Sequence, residues 1–137
     1  MPSQALQTWL TVRKQALDEI ENAHRRVGGT RRGRRHATRQ INYAYTVLLS
    51  SQFQGFCREL HDECIGLLVQ WITPIGLRAA FERSLLLGRK LDTGNPNPGN
   101  LGADFGRFGF KFWNEVDQLD ARNPDRRDQL GKAERVA

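Results

Sequence analysis

Seven arginines, Arg25, Arg26, Arg31, Arg32, Arg34, Arg35 and Arg39, fall within one short segment. No Asp or Glu interrupts the chain between Glu21 and Glu59, so much of the net charge of +6 is concentrated there. A patch of this kind attracts polyanions, and a planar guanidinium grips a phosphate with two parallel hydrogen bonds. The chemistry expected of it is nucleic-acid binding through the backbone, without reading bases. The plainer reading of the same residues is a solvated loop between two helices that keeps the protein soluble.

Other chemistries find little support. The chain has no phosphate-cradling Gly-rich loop ending in Gly-Lys-Ser/Thr, no GxGxxG, no HExxH and no GxSxG. Ser50 and Ser51 have no histidine at a spacing that would activate them, since His61 would reach them only around a bent helix. Glu59, Asp62 and Glu63 read as a solvated helix face rather than a metal site. Cys57 and Cys64 are seven residues apart. On one helix that is roughly 10 Å, too far for a disulfide, and two sulfurs without paired histidines are too few for zinc. Two reduced thiols in a cytoplasmic protein are expected, with no metal and no cofactor.

The elements that must position the arginines are helical. Leu6, Trp9, Leu10, Leu17 and Ile20 recur at helical spacing, with Ser3 as N-cap and Gly28-Gly29 as stop. This predicts a first helix over 4–26, followed by a loop over 27–35. Ile41, Tyr45, Leu48, Gln52, Phe56, Leu60, Cys64, Leu67 and Trp71 then step by three or four, widened by Val47, Leu49, Phe53, Ile65 and Leu68. They predict one long helix over 36–72, ended by Pro74, with its aromatics serving as core rather than as a ligand box. A third helix is predicted to start with Thr73 as cap and Pro74 in its first turn. It runs to about Lys90 with Leu77, Phe81, Leu85 and Gly88 on one face. The segment 92–100 reads as turn chemistry throughout. The segment 101–113 reads as a short helix or an aromatic knot, in which Gly102, Gly106 and Gly109 either weaken the helix by about 1 kcal/mol each or mark close backbone packing. A last amphipathic element follows Asn123-Pro124, with Leu130, Ala133 and Val136 spaced by three. It stops uncapped, so the chain is expected to be incomplete at its C-terminus. No stretch alternates with period two, no apolar run approaches the roughly 20 residues of a membrane span, and no secretory leader is visible. The expectation is a single all-α domain over 1–137, an up-and-down bundle built around one long central helix.

The run Ile41-Asn42-Tyr43-Ala44-Tyr45-Thr46-Val47-Leu48-Leu49, followed by Phe53-Gln54-Gly55-Phe56-Cys57-Arg58-Glu59-Leu60, resembles the central helix of the HEPN superfamily, most closely its RiboL-PSP branch. The Gly94-Asn95-Pro96 loop and the aromatic segment from Asp104-Phe105 to Trp113 are similar to the same branch, so the resemblance covers about 36–113. It rests on the order of weak motifs. It implies an up-and-down helical bundle, a homodimer, and a metal-independent endoribonuclease of a toxin–antitoxin or phage-defence system, with an antitoxin or another protein as partner.

The family's catalytic signature is Arg-x(4–6)-His, commonly opening Arg-Asn near the start of the last helix. Arg122-Asn123 matches that opening, but no histidine follows. Arg31 and His36 match the spacing in the wrong place, between helices. Position 54 is Gln where the family often has an acidic residue. The resemblance therefore implies an RNA-directed protein without its usual acid–base histidine. The alternative is a non-enzymatic helical module whose arginine loop grips nucleic acid or an acidic protein, and a purely structural dimerisation bundle is the third reading.

Overall fold

A computed structural model of the chain describes residues 2–28 and 38–122. The fold is an all-α bundle, and the described residues contain no strand. Helices α1 (Gln4–Thr8) and α2 (Lys14–Gly28) are joined by a π-helical turn, Trp9–Arg13. Helix α3 spans Arg39–Gln70, α4 spans Arg78–Leu86, α5 spans Pro98–Gly106 and α6 spans Phe112–Ala121. Two 3-10 turns, Ile75–Leu77 and Lys90–Asp92, lie between α3 and α5. Helices α1 and α2 pack along α3, α4 folds back on it, and α5 packs on the Lys90–Asp92 turn and on α6.

Local signals explain most helix starts. The Ser3 hydroxyl caps α1 by accepting from the Leu6 N–H at 3.1 Å. The free N–H of Ala5, one residue into that helix, donates to the Glu63 carboxylate at 2.5 Å, which ties the start of α1 to α3. At α5 the Asn97 side chain accepts from the Asn100 N–H at 2.8 Å, and Pro98 supplies a preset φ. The segment 92–100 is therefore not turn throughout, because its last three residues are the first turn of α5. Helix α4 is shorter than expected. Pro74 stays extended ahead of a 3-10 turn and Thr73 does not cap, while Leu87 is already extended. Of the predicted face only Leu85 is buried; Leu77 and Phe81 are exposed. Helix α6 was not anticipated. The start of the long helix at His36 and the element after Asn123-Pro124 lie outside the described residues.

The core gathers at one end of α3. Cys57, Leu91, Leu101 and Phe105 are buried together, with Phe53, Phe56, Leu60, Cys64, Phe108 and Phe112 packed around them. Phe105 stacks on Phe112 with ring centroids 4.9 Å apart, and Trp9 lies 5.4 Å from Phe56. The aromatics thus serve chiefly as core, as expected. The inward row of α3 is Cys57, His61 and Ile65, one side chain per turn. The expected row turns outward at its end: Leu67 is exposed and Trp71 is 87% exposed.

Close approaches explain two glycines. A Cβ at Gly55 would lie 2.6–2.9 Å from the Arg13 guanidinium, which crosses α3 there. Arg13 donates to Gln52 at 2.7 Å and pairs with Glu59. A Cβ at Gly102 would meet the Trp113 indole at 3.0 Å, where its N–H donates to the Pro98 carbonyl at 2.9 Å.

The fully buried Leu91 turn is held from both sides. The Asp104 carboxylate, 1% exposed, accepts the Lys90 and Leu91 N–H groups at 2.9 and 2.8 Å. Asp104→Asn turns an amide N–H toward one of these donors. It should cost about 2 kcal/mol, the range of hydrogen bonds to charged groups, read as a lower denaturant midpoint at unchanged slope. An unchanged midpoint contradicts the clamp.

Candidate functional site

Two places combine functional side chains. The first is the end of the bundle where α2 stops and α3 begins. Arg25 and Arg26 occupy the last turn of α2, and Arg39 is the first residue of α3; all three are exposed. The α2 pair suits a helix C-terminus, whose carbonyls favour cations. Arg39 does the opposite: it places a cation at a helix start, with no acidic residue in the first turn. Helix stability does not account for it. Arg25 pairs with Glu21 on its own helix, so it offers only part of its charge. Between the two helices lies a groove of about 350 Å³ lined by Ile20, Glu21, His24, Ile41, Asn42 and Tyr45.

Arg31, Arg32, Arg34, Arg35 and His36 lie outside the described residues, as does Asn123. Arg122 is exposed just past α6. Among the described residues no group of three or more His, Cys, Asp and Glu is arranged to hold a metal.

The second place is the inner end of α3. His61 is fully buried against the rings of Phe105 and Phe108, with centroids 5.5 and 4.8 Å away. Neither ring nitrogen has a hydrogen-bond partner of good geometry. Burial lowers its pKa and the Arg89 charge adds to this, while the Asp104 backbone and the Asp104 and Asp62 carboxylates oppose it. A neutral imidazole walled off from solvent cannot exchange protons with a substrate, so His61 belongs to the core.

The polar groups around it fasten the Lys90–Asp92 turn. Gln54 donates to the Leu91 and Gly94 carbonyls at 2.8 and 2.9 Å. Arg58 donates to the Leu91 carbonyl at 2.9 Å. Arg89 bridges Asp62 at 2.5 Å and Asp92 at 2.8 Å, which holds the Asp92 carboxyl below its usual value. Glu59, Asp62 and Glu63 stay partly or fully exposed, as expected of a solvated face, and each also binds another element. Arg58 and Asp104 did not stand out as a site in the sequence, because the groups they hold lie more than ten residues away in the chain. Cys57 and Cys64 are free. Burial pushes the Cys57 thiol up to about 11 and raises that of Cys64, where Glu63 adds to it, so both stay protonated and weakly nucleophilic at neutral pH.

Among the described residues no helix is long and apolar enough to cross a membrane. Comparison with protein-family models, with curated proteins and with solved structures returned no match.

Two outcomes follow. Gln54→Glu replaces a donor amide with a group that can only accept, set against two carbonyl oxygens. It should destabilise by about 2 kcal/mol at pH 7 and recover partly in acid as the carboxyl protonates; equal stability at pH 7 contradicts the assignment. For His61 the folded pKa lies below the unfolded value of about 6.5. Its contribution is complete above that pH. As pH falls toward the folded value, the unfolded chain binds a proton that the folded chain refuses, and stability drops by up to about 1.4 kcal/mol per unit. Asp92 adds its own loss only below about pH 4. The fall in Tm between pH 7 and 5 should therefore shrink in His61→Leu; an identical fall in both proteins contradicts this.

Proposed function

We propose that this chain is a HEPN-like helical protein that binds RNA or another nucleic acid by its phosphates, at the end of the bundle where α2 and α3 meet. The observation that carries the reading is Arg39. It is an exposed cation at a helix start with no acid to pair with in its own first turn, and in the sequence it closely follows Arg31, Arg32, Arg34 and Arg35. Carboxylates are absent from α3 itself until Glu59, so a polyanion along its first half meets no repulsion from that helix. The acidic exception is Glu21, which lines the groove and is paired with Arg25.

Binding is placed ahead of cleavage. His61, fully buried in the core, is closed to substrate. The resemblance supplies the biological setting of the proposal: a toxin–antitoxin or phage-defence system, a homodimer and an antitoxin partner. A second reading, a protein-binding module, draws support from the exposed apolar side chains Leu67, Trp71, Ile75 and Leu77.

The test is the affinity of a labelled 20-nucleotide RNA across a salt series. Each phosphate contact on a single strand contributes about 0.7 to the slope of log K against log salt. Replacing Arg25, Arg26 and Arg39 together by Gln should lower that slope by about 2 and weaken binding at low salt. An unchanged slope and affinity would leave these arginines as a solvated surface.

A further inference from the structure

Further along α3 from the basic end lies a second groove of about 510 Å³, within the range of small-molecule sites. Its walls are apolar: Trp9, Leu49 and Phe53. Its rim is polar: Ser50 on α3, and Asn95 and Asn97 on the loop before α5. No acidic side chain lines it. Thr46 also lines it and donates to the Asn42 carbonyl at 3.0 Å, while Asn42 lines the groove at the basic end. Residues four apart share a helix face, so Asn42 of the first groove and Thr46 of the second lie on one face of α3.

Three features make this second groove a built surface. Trp9 opens the π-helical turn, an irregularity found frequently at functional sites. Its indole is fixed edge-on by Phe53, at 6.2 Å and 77°, and backed by Phe56. The indole N–H of Trp9, the Ser50 hydroxyl and the Asn95 side-chain amide make no hydrogen bond within the described residues. The loop that carries Asn95 is itself held: Gln54 binds Gly94, and the Asn100 amide donates to the Asn95 carbonyl at 2.8 Å.

We infer that this groove takes an unstacked base of a single-stranded nucleic acid whose phosphates run over Arg39, Arg25 and Arg26. The inference rests on the proposed function and narrows it to single strands. A flat ring meets an aromatic wall, and its edge meets donors and acceptors that lack partners. Aromatic platforms next to cationic tracks bind single strands in this way, whereas a duplex keeps its base faces stacked and unavailable. The absence of carboxylates from this stretch of α3 favours a polyanion over a basic peptide.

The experiment measures fluorescence anisotropy of a labelled ten-nucleotide oligouridine, a ten-base-pair duplex with its doubled phosphate charge, and a ten-residue polyglutamate, all at 50 mM salt. The single strand should bind about tenfold more tightly than the duplex. Ser50→Phe fills the groove from an exposed position and should weaken the single strand about tenfold while leaving the duplex unchanged. Asn95→Ala, which leaves the backbone carbonyl in place, should weaken the single strand in the same direction and serves if Ser50→Phe does not fold. Equal binding of strand and duplex, unaffected by either variant, overturns the base site and leaves the basic end standing. Failure of both nucleic acids to bind overturns this inference and the proposed function together. Polyglutamate binding that Ser50→Phe abolishes, without preference for the single strand, assigns the groove to an acidic protein and overturns the inference.

Discussion

The grip of one buried carboxylate on one turn organises the inner half of the bundle. Asp104 receives two backbone N–H groups of the Lys90–Asp92 turn, and Gln54 and Arg58 hold the Leu91 carbonyl from the other side. The fully buried Leu91 side chain sits between them against Cys57, Leu101 and Phe105. Polar groups this deep stabilise only when every partner is in place. Here the charge is met by backbone donors, and the turn's carbonyl is met by an amide and a guanidinium. The clamp joins α3 to α5, and through Gln54 it also fixes Gly94, next to the Asn95 loop. The outer groove inherits its shape from that inner bond.

The other half of the bundle depends on Arg13. Its guanidinium crosses α3 over Gly55 to reach Gln52 and Glu59, and the π-helical turn ends at this residue. The turn that delivers Arg13 to α3 also carries Trp9 to the groove edge. Packing and the candidate binding surface are therefore two consequences of one helical irregularity. The first half of α3 has a thinner cover than the second: Tyr43, Val47 and Leu49 are exposed while Cys57, His61 and Ile65 are buried.

Legibility in the sequence followed the distance between partners. The all-α class, the long central helix and the Ser3 cap rest on periodicity and contacts within a few residues, and they are as the residues suggested. The Asn97 cap with Pro98 after it was equally local, but the surrounding Asn, Pro and Gly read as loop. Asp104 and Gln54 carry no such signal, because Asp104 meets its N–H donors 14 and 13 residues away and Gln54 its carbonyls 37 and 40 residues away. The outward turn of Leu67 and Trp71 was hidden for a related reason: an apolar row shows which residues share a face, not where the neighbouring helix stops covering it. Of the candidate site residues, Arg25, Arg26, Arg39 and Arg122 are placed at exposed helix ends, and the rest lie outside the described residues.

The central claim is that nucleic acid lies along the acid-free first half of α3, from Arg39 toward Phe53. Backbone amide shifts in a ¹⁵N-labelled protein titrated with a short single-stranded RNA test it most directly. The account predicts that the largest changes fall on 24–28, on 39–53 and at Trp9 and Asn95, with little change around Leu77 to Leu87. Changes confined to the exposed apolar surface near Trp71 and Ile75, or no changes up to millimolar RNA, would contradict it.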